Sequence, residues 1–159
     1  ERCEYFLSEL ITAGETMKEG MKVIEPHLVK GDMKMSGKAV VGTAAGDLHD
    51  IGKNIFVTLL IASGFEVTDL GSDVSAERFV SAVKEKKPEI IGISALLTTT
   101  MVEMGNVVDE LKRAGLRGGV KIIIGGAPVT KEYAEKIGAD AAVTDAIEGV
   151  ELAKTWASI

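Results

Sequence analysis

Two hydrophobic periods divide the chain. Over residues 1–30 the apolar positions recur at helical spacing. Phe6, Leu10, Ala13 and Met17 fall at intervals of four, three and four, one face of a helix. Gly14 weakens that helix by about 1 kcal/mol relative to alanine. The pattern continues through Met21, Val23 and Ile24 to Pro26 and is already running at Glu1. It predicts part of a helical bundle whose upstream portion lies outside this sequence.

Gly31, Asp32, Ser36 and Gly37 interrupt the pattern. They place a boundary between a partial helical cap, 1–36, and a second domain, 37–159. In the second domain short apolar runs alternate with amphipathic stretches. Strands are predicted at 39–42, 65–67, 90–93, 120–124 and 141–143. Helices are predicted at 51–63, 75–86, 101–114, 130–137 and 146–157. Ser75 suits an N-cap, and Pro88 stops the second of these helices before the third strand. Strands this apolar, each followed by a helix, predict a parallel sheet covered on both faces. The fold class is α/β. Five strands fit the doubly wound, flavodoxin- or Rossmann-like order 2-1-3-4-5, and the ligand then belongs at the carboxyl ends of the strands, beside the switch point.

Composition narrows the function. The 159 residues are 46% hydrophobic and 26% charged, which excludes a disordered chain. A chain of this length buries roughly 70% of its unfolded surface and needs no disulfide or metal staple. Cys3 is the only cysteine, which excludes an internal disulfide and argues against a cysteine zinc site. A net charge of −6 argues against a nucleic-acid partner. No apolar run approaches ~18 residues and no signal-like leader is present, so the expected setting is cytoplasmic, with no membrane partner. Glycine is frequent (18 residues) and aromatics are scarce (4%). That combination suits tight turns around a ligand with a large flat surface of its own.

Three loops carry the candidate chemistry. After the first strand, Gly46-Asp47-Leu48-His49-Asp50-Ile51-Gly52 sets a histidine between two aspartates. Histidine is the commonest metal ligand and usually donates its other ring nitrogen to a carboxylate, here Asp47 or Asp50. A surface ion pair or a helix cap would use the same residues. A zinc site lacks further ligands nearby, since His27 lies across the boundary. One histidine suffices if the metal arrives held by a macrocycle, a haem or a corrin. After the third strand, Ser94, Thr98, Thr99 and Thr100 offer uncharged hydrogen-bonding groups. Thr99 or Thr100 could equally cap the next helix. After the fourth strand, Gly125-Gly126-Ala127-Pro128 permits either a close backbone approach or a sharp turn. The dinucleotide and P-loop glycine patterns are absent, Ser94 stands where a phospho-receiver needs an acid, and the aromatics a flavodoxin needs are few.

Taken together, Asp47-x-His49-x-x-Gly52, Ser94-x-Leu96 and Gly125-Gly126, separated by residues 53–93 and 97–124, resemble the signature of cobalamin-binding domains. The longer run from Gly46 to Asn54, with the helical Tyr5-Phe6-Leu7 segment, resembles corrinoid proteins of methyltransferase systems and the cobalamin module of methionine synthase. The resemblance implies cobalamin or another corrinoid, with its cobalt, as cofactor. It implies that His49 binds cobalt from below and displaces the cofactor's benzimidazole. The released nucleotide arm would then enter a slot between strand one and strand three or four. Gly46, Leu48, Asp50, Ile51 and Ala127 would border the cofactor. Gly52 and the Gly125-Gly126 pair would leave room for the arm, Ser94 and Thr98 would hydrogen-bond it, and Leu96 would wall it. Asp47 would hold the His49 ring, with the Thr100 hydroxyl supporting Asp47. Phe6 and Leu10 would cover the upper face.

The implied function is a methyl carrier. Cob(I)amide takes a methyl group with the help of a substrate:corrinoid methyltransferase. It passes that group to tetrahydrofolate or a thiol through a corrinoid:acceptor methyltransferase. The carrier itself is then a non-catalytic subunit, and on reduction the axial bond would break with proton uptake at the His49–Asp47 pair. An adenosylcobalamin mutase subunit shares the motifs but normally lacks a helical segment before the first strand. A cobalamin-based regulator would need a signalling module, and none is visible in this chain.

Overall fold

A computed structural model describes Thr12, Thr16, Glu19, Gly20, Val23 and residues 36–157. The chain divides into two compact units, Glu1–Met33 and Lys34–Ile159. In the first unit the described residues are helical, and the Thr16 hydroxyl donates to the Thr12 carbonyl at 2.8 Å. Phe6, Leu10, Ala13, Met17 and His27 lie outside the described residues. No helix among the described residues is long and apolar enough to cross a membrane.

The second unit is built on five strands: β1 (Gly37–Thr43), β2 (Phe65–Asp69), β3 (Ile90–Ser94), β4 (Lys121–Gly125) and β5 (Ala141–Val143). They pair in parallel in the order β2-β1-β3-β4-β5, the predicted order. The helices are α1 (Ile51–Ala62), α2 (Ala76–Lys86), α3 (Thr98–Arg113), α4 (Lys131–Ile137) and α5 (Ala146–Ala157). Strand side chains alternate between faces, which sorts the core into two layers. Ala39, Val41, Ile90 and Ile123 pack with Phe56 and Leu60 of α1 and with Val150 and Ala153 of α5. Val40, Ile91, Ile122 and Ile124 pack with Phe79 of α2, with Met104 and Val108 of α3, and with Ala134 of α4.

The caps explain where the helices begin. The Ser75 side chain accepts from Arg78 N–H, and Thr130 from Tyr133 N–H. Lys87 ends α2 in the left-handed region, immediately before Pro88. Helix α3 departs from the expectation. It starts at Thr98, not 101, and neither Thr99 nor Thr100 caps it; the capping position is Leu97, with no capping side chain. The reason is an anion supplied from another loop, described below. At the amino end of the sheet, Arg117 joins the Gly138 and Val120 carbonyls to Asp140. Burial pushes the Asp140 carboxyl up, but the Ile122 N–H, Lys121 and Arg117 outweigh it and hold its pKa below the ordinary value.

Candidate functional site

Parallel register brings the predicted loops to one edge. Thr43 pairs with Ser94, Ser94 with Gly125, and Gly125 with Val143. These residues form a row across the carboxyl end of the sheet, where ligands bind in doubly wound folds. The loop after β1 and the start of α3 meet at this row.

Asp47 is the centre of the arrangement and is fully buried, 0% exposed. One oxygen accepts from the His49 backbone N–H at 3.0 Å and faces His49 Nδ1 at 2.8 Å. The other accepts from Leu96 N–H at 2.7 Å and from the Thr100 hydroxyl at 2.5 Å. Leu97 N–H lies 3.4 Å away. The carboxylate therefore occupies the N-terminus of α3, where free N–H groups and the helix dipole favour an anion. This is why α3 needs no capping side chain of its own. Burial pushes the Asp47 carboxyl up, but the bonds from Thr100, Leu96 and His49 outweigh burial and hold it well below the ordinary aspartate range.

An ionised carboxylate only accepts, so the proton of this hydrogen bond sits on His49 Nδ1. In the neutral form of that ring, which is half exposed, Nε2 is the nitrogen that carries the lone pair. Asp50 does not share this role; it is the capping position of α1 and makes no side-chain cap bond. Among the described residues no three histidine, cysteine, aspartate or glutamate side chains gather to hold an ion. Both Asp47 oxygens are already taken. The donor set is one imidazole nitrogen, which suits a metal whose other positions are filled by a macrocycle. Leu48, Ile51, Leu96 and Leu97 stand exposed on the two segments that meet at Asp47.

A cavity of about 470 Å³ opens on the α1/α5 face of the sheet. Its wall includes Val41, Gly52, Phe56, Ser94, Gly125 and Ile147. A Cβ on Gly52 would meet nothing within 4 Å, so a larger side chain there would enter open space. Phe56 is wedged between two glycines: a Cβ on Gly92 would come within 2.9 Å of its ring, and one on Gly149 within 3.0 Å. The Thr43 hydroxyl, at the end of β1, is buried and has no hydrogen-bond partner among the described residues.

Not every predicted residue reaches this cavity. Ser94, Gly52 and Gly125 line it; Leu96, Thr98, Gly126 and Ala127 do not. Leu96 contributes its backbone N–H to Asp47, and its side chain is exposed. Thr98 and Ala127 are exposed. Gly126, expected to leave room for the cofactor's arm, is also approached closely by the chain's own backbone. It has φ +132°, and a Cβ there would sit 1.8 Å from the Ala95 carbonyl oxygen. It makes room for the backbone that follows β3, while Gly125 keeps the cavity clear.

Several residues escaped the sequence reading. Lys53 is buried on the cavity wall and binds Asp69 and Asn54, each at 2.6 Å. Its signal was a charge in phase with Phe56 and Leu60 on the buried face of α1. The wall formed by Val143, Thr144, Asp145 and Ile147 comes from the last strand and helix. No motif pointed there.

Comparison with known proteins agrees with this geometry. Residues 37–152 match the B12 binding domain. The chain is 45% identical to trimethylamine corrinoid protein 2 of Methanosarcina acetivorans, over 96% of this chain and 73% of that protein. The monomethylamine corrinoid protein of Methanosarcina barkeri superposes with a TM-score of 0.77 at 39% identity, covering 96% of this chain and 72% of the other. A chain of the methanol:cobalamin methyltransferase complex of Methanosarcina barkeri superposes with a TM-score of 0.75 at 32% identity, covering 97% and 58%. The chain belongs to the B12-binding family, and within it to the corrinoid proteins of methyltransferase systems, and its cofactor is a corrinoid.

Proposed function

We propose that this chain is the methyl-carrying subunit of a methylamine-type methyltransferase system. It receives a methyl group through one partner methyltransferase and presents it to a second, whose acceptor is tetrahydrofolate or a thiol. When bound, the corrinoid supplies a cobalt that is strongly nucleophilic when reduced and able to hold a methyl group. The observation that carries the reading is the Asp47–His49 pair, a half-exposed imidazole held at Nδ1 by a buried carboxylate. The trimethylamine and monomethylamine relatives support the amine as donor.

The chain's own residues divide the work. Asp47 holds a proton on His49 Nδ1 and fixes the ring, so that Nε2 points at the metal. Thr100 and Leu96 N–H fix Asp47 in turn. The cavity would hold the cofactor's nucleotide arm, with His49 as the residue that would bind the metal. Gly52 and Gly125 keep that space open, and Ser94 on its wall offers it a hydrogen bond. The exposed apolar side chains of Leu48, Ile51, Leu96 and Leu97 would seat the macrocycle.

The test combines label transfer with one substitution. The corrinoid-loaded chain, held in the cob(I) state by a low-potential reductant, is mixed with a trimethylamine-specific methyltransferase and carbon-13 methyl-labelled trimethylamine. Label should enter the loaded chain far faster than free corrinoid. Gly52→Leu should fold normally but bind corrinoid roughly tenfold to a hundredfold more weakly, because the leucine overfills the arm's space. Uptake no faster than by free corrinoid contradicts the carrier reading. Unchanged affinity in Gly52→Leu contradicts the placement of the arm.

A further inference from the structure

The turn after β2 makes contacts that neither metal ligation nor the cavity requires. Asp73 lies in the left-handed region at φ +55°, uncommon for a residue other than glycine, although aspartate tolerates it better than most. Its Oδ1 accepts the Gly46 N–H at 2.7 Å, and its own N–H donates to the Asp47 carbonyl at 3.0 Å. On either side Thr43 N–H donates to the Gly71 carbonyl and Val74 N–H to the Thr43 carbonyl, each at 3.0 Å. Ala44 and Val74 form a parallel bridge. Residues 71–74 are thus zipped along one edge of the segment 43–47.

The opposite edge is held differently. There Ala44 N–H donates to the Ser94 carbonyl at 2.9 Å, and Leu96 and Thr100 grip the Asp47 carboxylate. One clamp acts on the side chain of Asp47, the other on its backbone. Gly46 has φ +77° and no side chain to restrain it. The peptide between Gly46 and Asp47 is itself held by the Asp47 N–H, which donates to the Ala44 carbonyl at 3.1 Å, and Asp73 holds the peptides on either side of it. Were that peptide to rotate, the Asp47 carboxylate would swing away from Leu96 and from His49 Nδ1. An unfavourable φ held by several contacts is the pattern of a residue kept for position.

We propose that Asp73 is a positioning residue: it locks the peptides on either side of the Gly46–Asp47 peptide and so aims the His49 ring at the metal. The proposal rests on the reading of His49 as the cobalt ligand. Asp73 is exposed, so water competes for its bonds and the effect is graded.

Three substitutions separate side chain from backbone. Asp73→Asn keeps an acceptor and tolerates the left-handed region. Asp73→Gly keeps the backbone and loses the acceptor. Asp73→Ala loses both. Each full chain, grown with nitrogen-15 histidine, is loaded with cob(II)alamin and read by electron paramagnetic resonance. A histidine nitrogen on cobalt gives a doublet superhyperfine splitting, and the cofactor's own nitrogen-14 base gives a triplet. Asp73→Gly should shift the ratio of doublet to triplet roughly fivefold toward the triplet, the effect of one lost hydrogen bond. Its apo unfolding midpoint should stay near wild type, and Asp73→Asn should keep the wild-type ratio. Asp73→Ala should lose both the doublet and some apo stability. A wild-type ratio in Asp73→Gly, or an equal loss in Asp73→Asn, overturns the role of Asp73 alone. A wild-type chain without the doublet overturns the ligation reading and this proposal together.

Discussion

Gly126→Ala should destabilise the apo protein by about 3 kcal/mol or more, although it adds one methyl group at a turn. The added carbon would lie 1.8 Å from the Ala95 carbonyl oxygen, a distance no relaxation of side chains can relieve. Nor can rotation help, because φ +132° is itself a conformation that side chains resist. The loops after β3 and β4 would have to part. That motion would also disturb the Ala95 N–H, which donates to the Gly125 carbonyl at 3.0 Å. Gly125→Ala makes the contrast. Its Cβ would stand 3.5 Å from the Val143 carbonyl, an ordinary contact, at a residue without positive φ. That variant should fold and lose corrinoid affinity instead. Urea unfolding of both apo variants checks the pair, and equal stability for Gly126→Ala and wild type would contradict the assignment.

Asp47→Ala should be costly in two currencies of measurement, stability and metal ligation. Without the carboxylate, the Leu96 N–H loses its acceptor, the buried Thr100 hydroxyl keeps only the Leu97 carbonyl at 3.1 Å, and α3 loses the anion at its N-terminus. Unsatisfied buried groups and a lost cap together amount to about 3 kcal/mol. His49 also loses the partner at Nδ1, and removing such a partner weakens metal binding by roughly tenfold to a hundredfold. Asp47→Asn keeps the shape and one acceptor oxygen, but its amide N–H₂ must face groups that are themselves donors. It should fall between wild type and alanine. Apo unfolding and corrinoid titration read the two effects separately. An Asp47→Ala chain as stable as wild type would mean that the carboxylate does not cap α3.

What the sequence could show follows from the range of the forces involved. The strand order was legible because apolar runs such as Ile90–Ser94 and Lys121–Gly125 alternate with helices, and short crossovers leave few topologies. The Asp47–His49 contact spans two residues and is local. The start of α3 was not legible, since its capping anion arrives from a loop some fifty residues earlier in the chain. For the same reason Thr99 and Thr100 resembled caps and are not. Gly125 and Gly126 looked like one motif, and only the approach of Ala95 separates their roles. Asp73 gave no signal, because a turn aspartate reads alike whether or not it grips another loop. The far wall of the cavity, from Val143 to Ile147, depends on where β5 and α5 dock.

The central claim is that the His49 imidazole replaces the cofactor's own base on cobalt. It is tested most directly by the electron paramagnetic resonance spectrum of the nitrogen-15 histidine chain loaded with cob(II)alamin, beside His49→Ala, which leaves His27 in place. The account predicts a doublet superhyperfine splitting in the wild type and its loss in His49→Ala. A triplet in the wild type, or a doublet that survives His49→Ala, would contradict it.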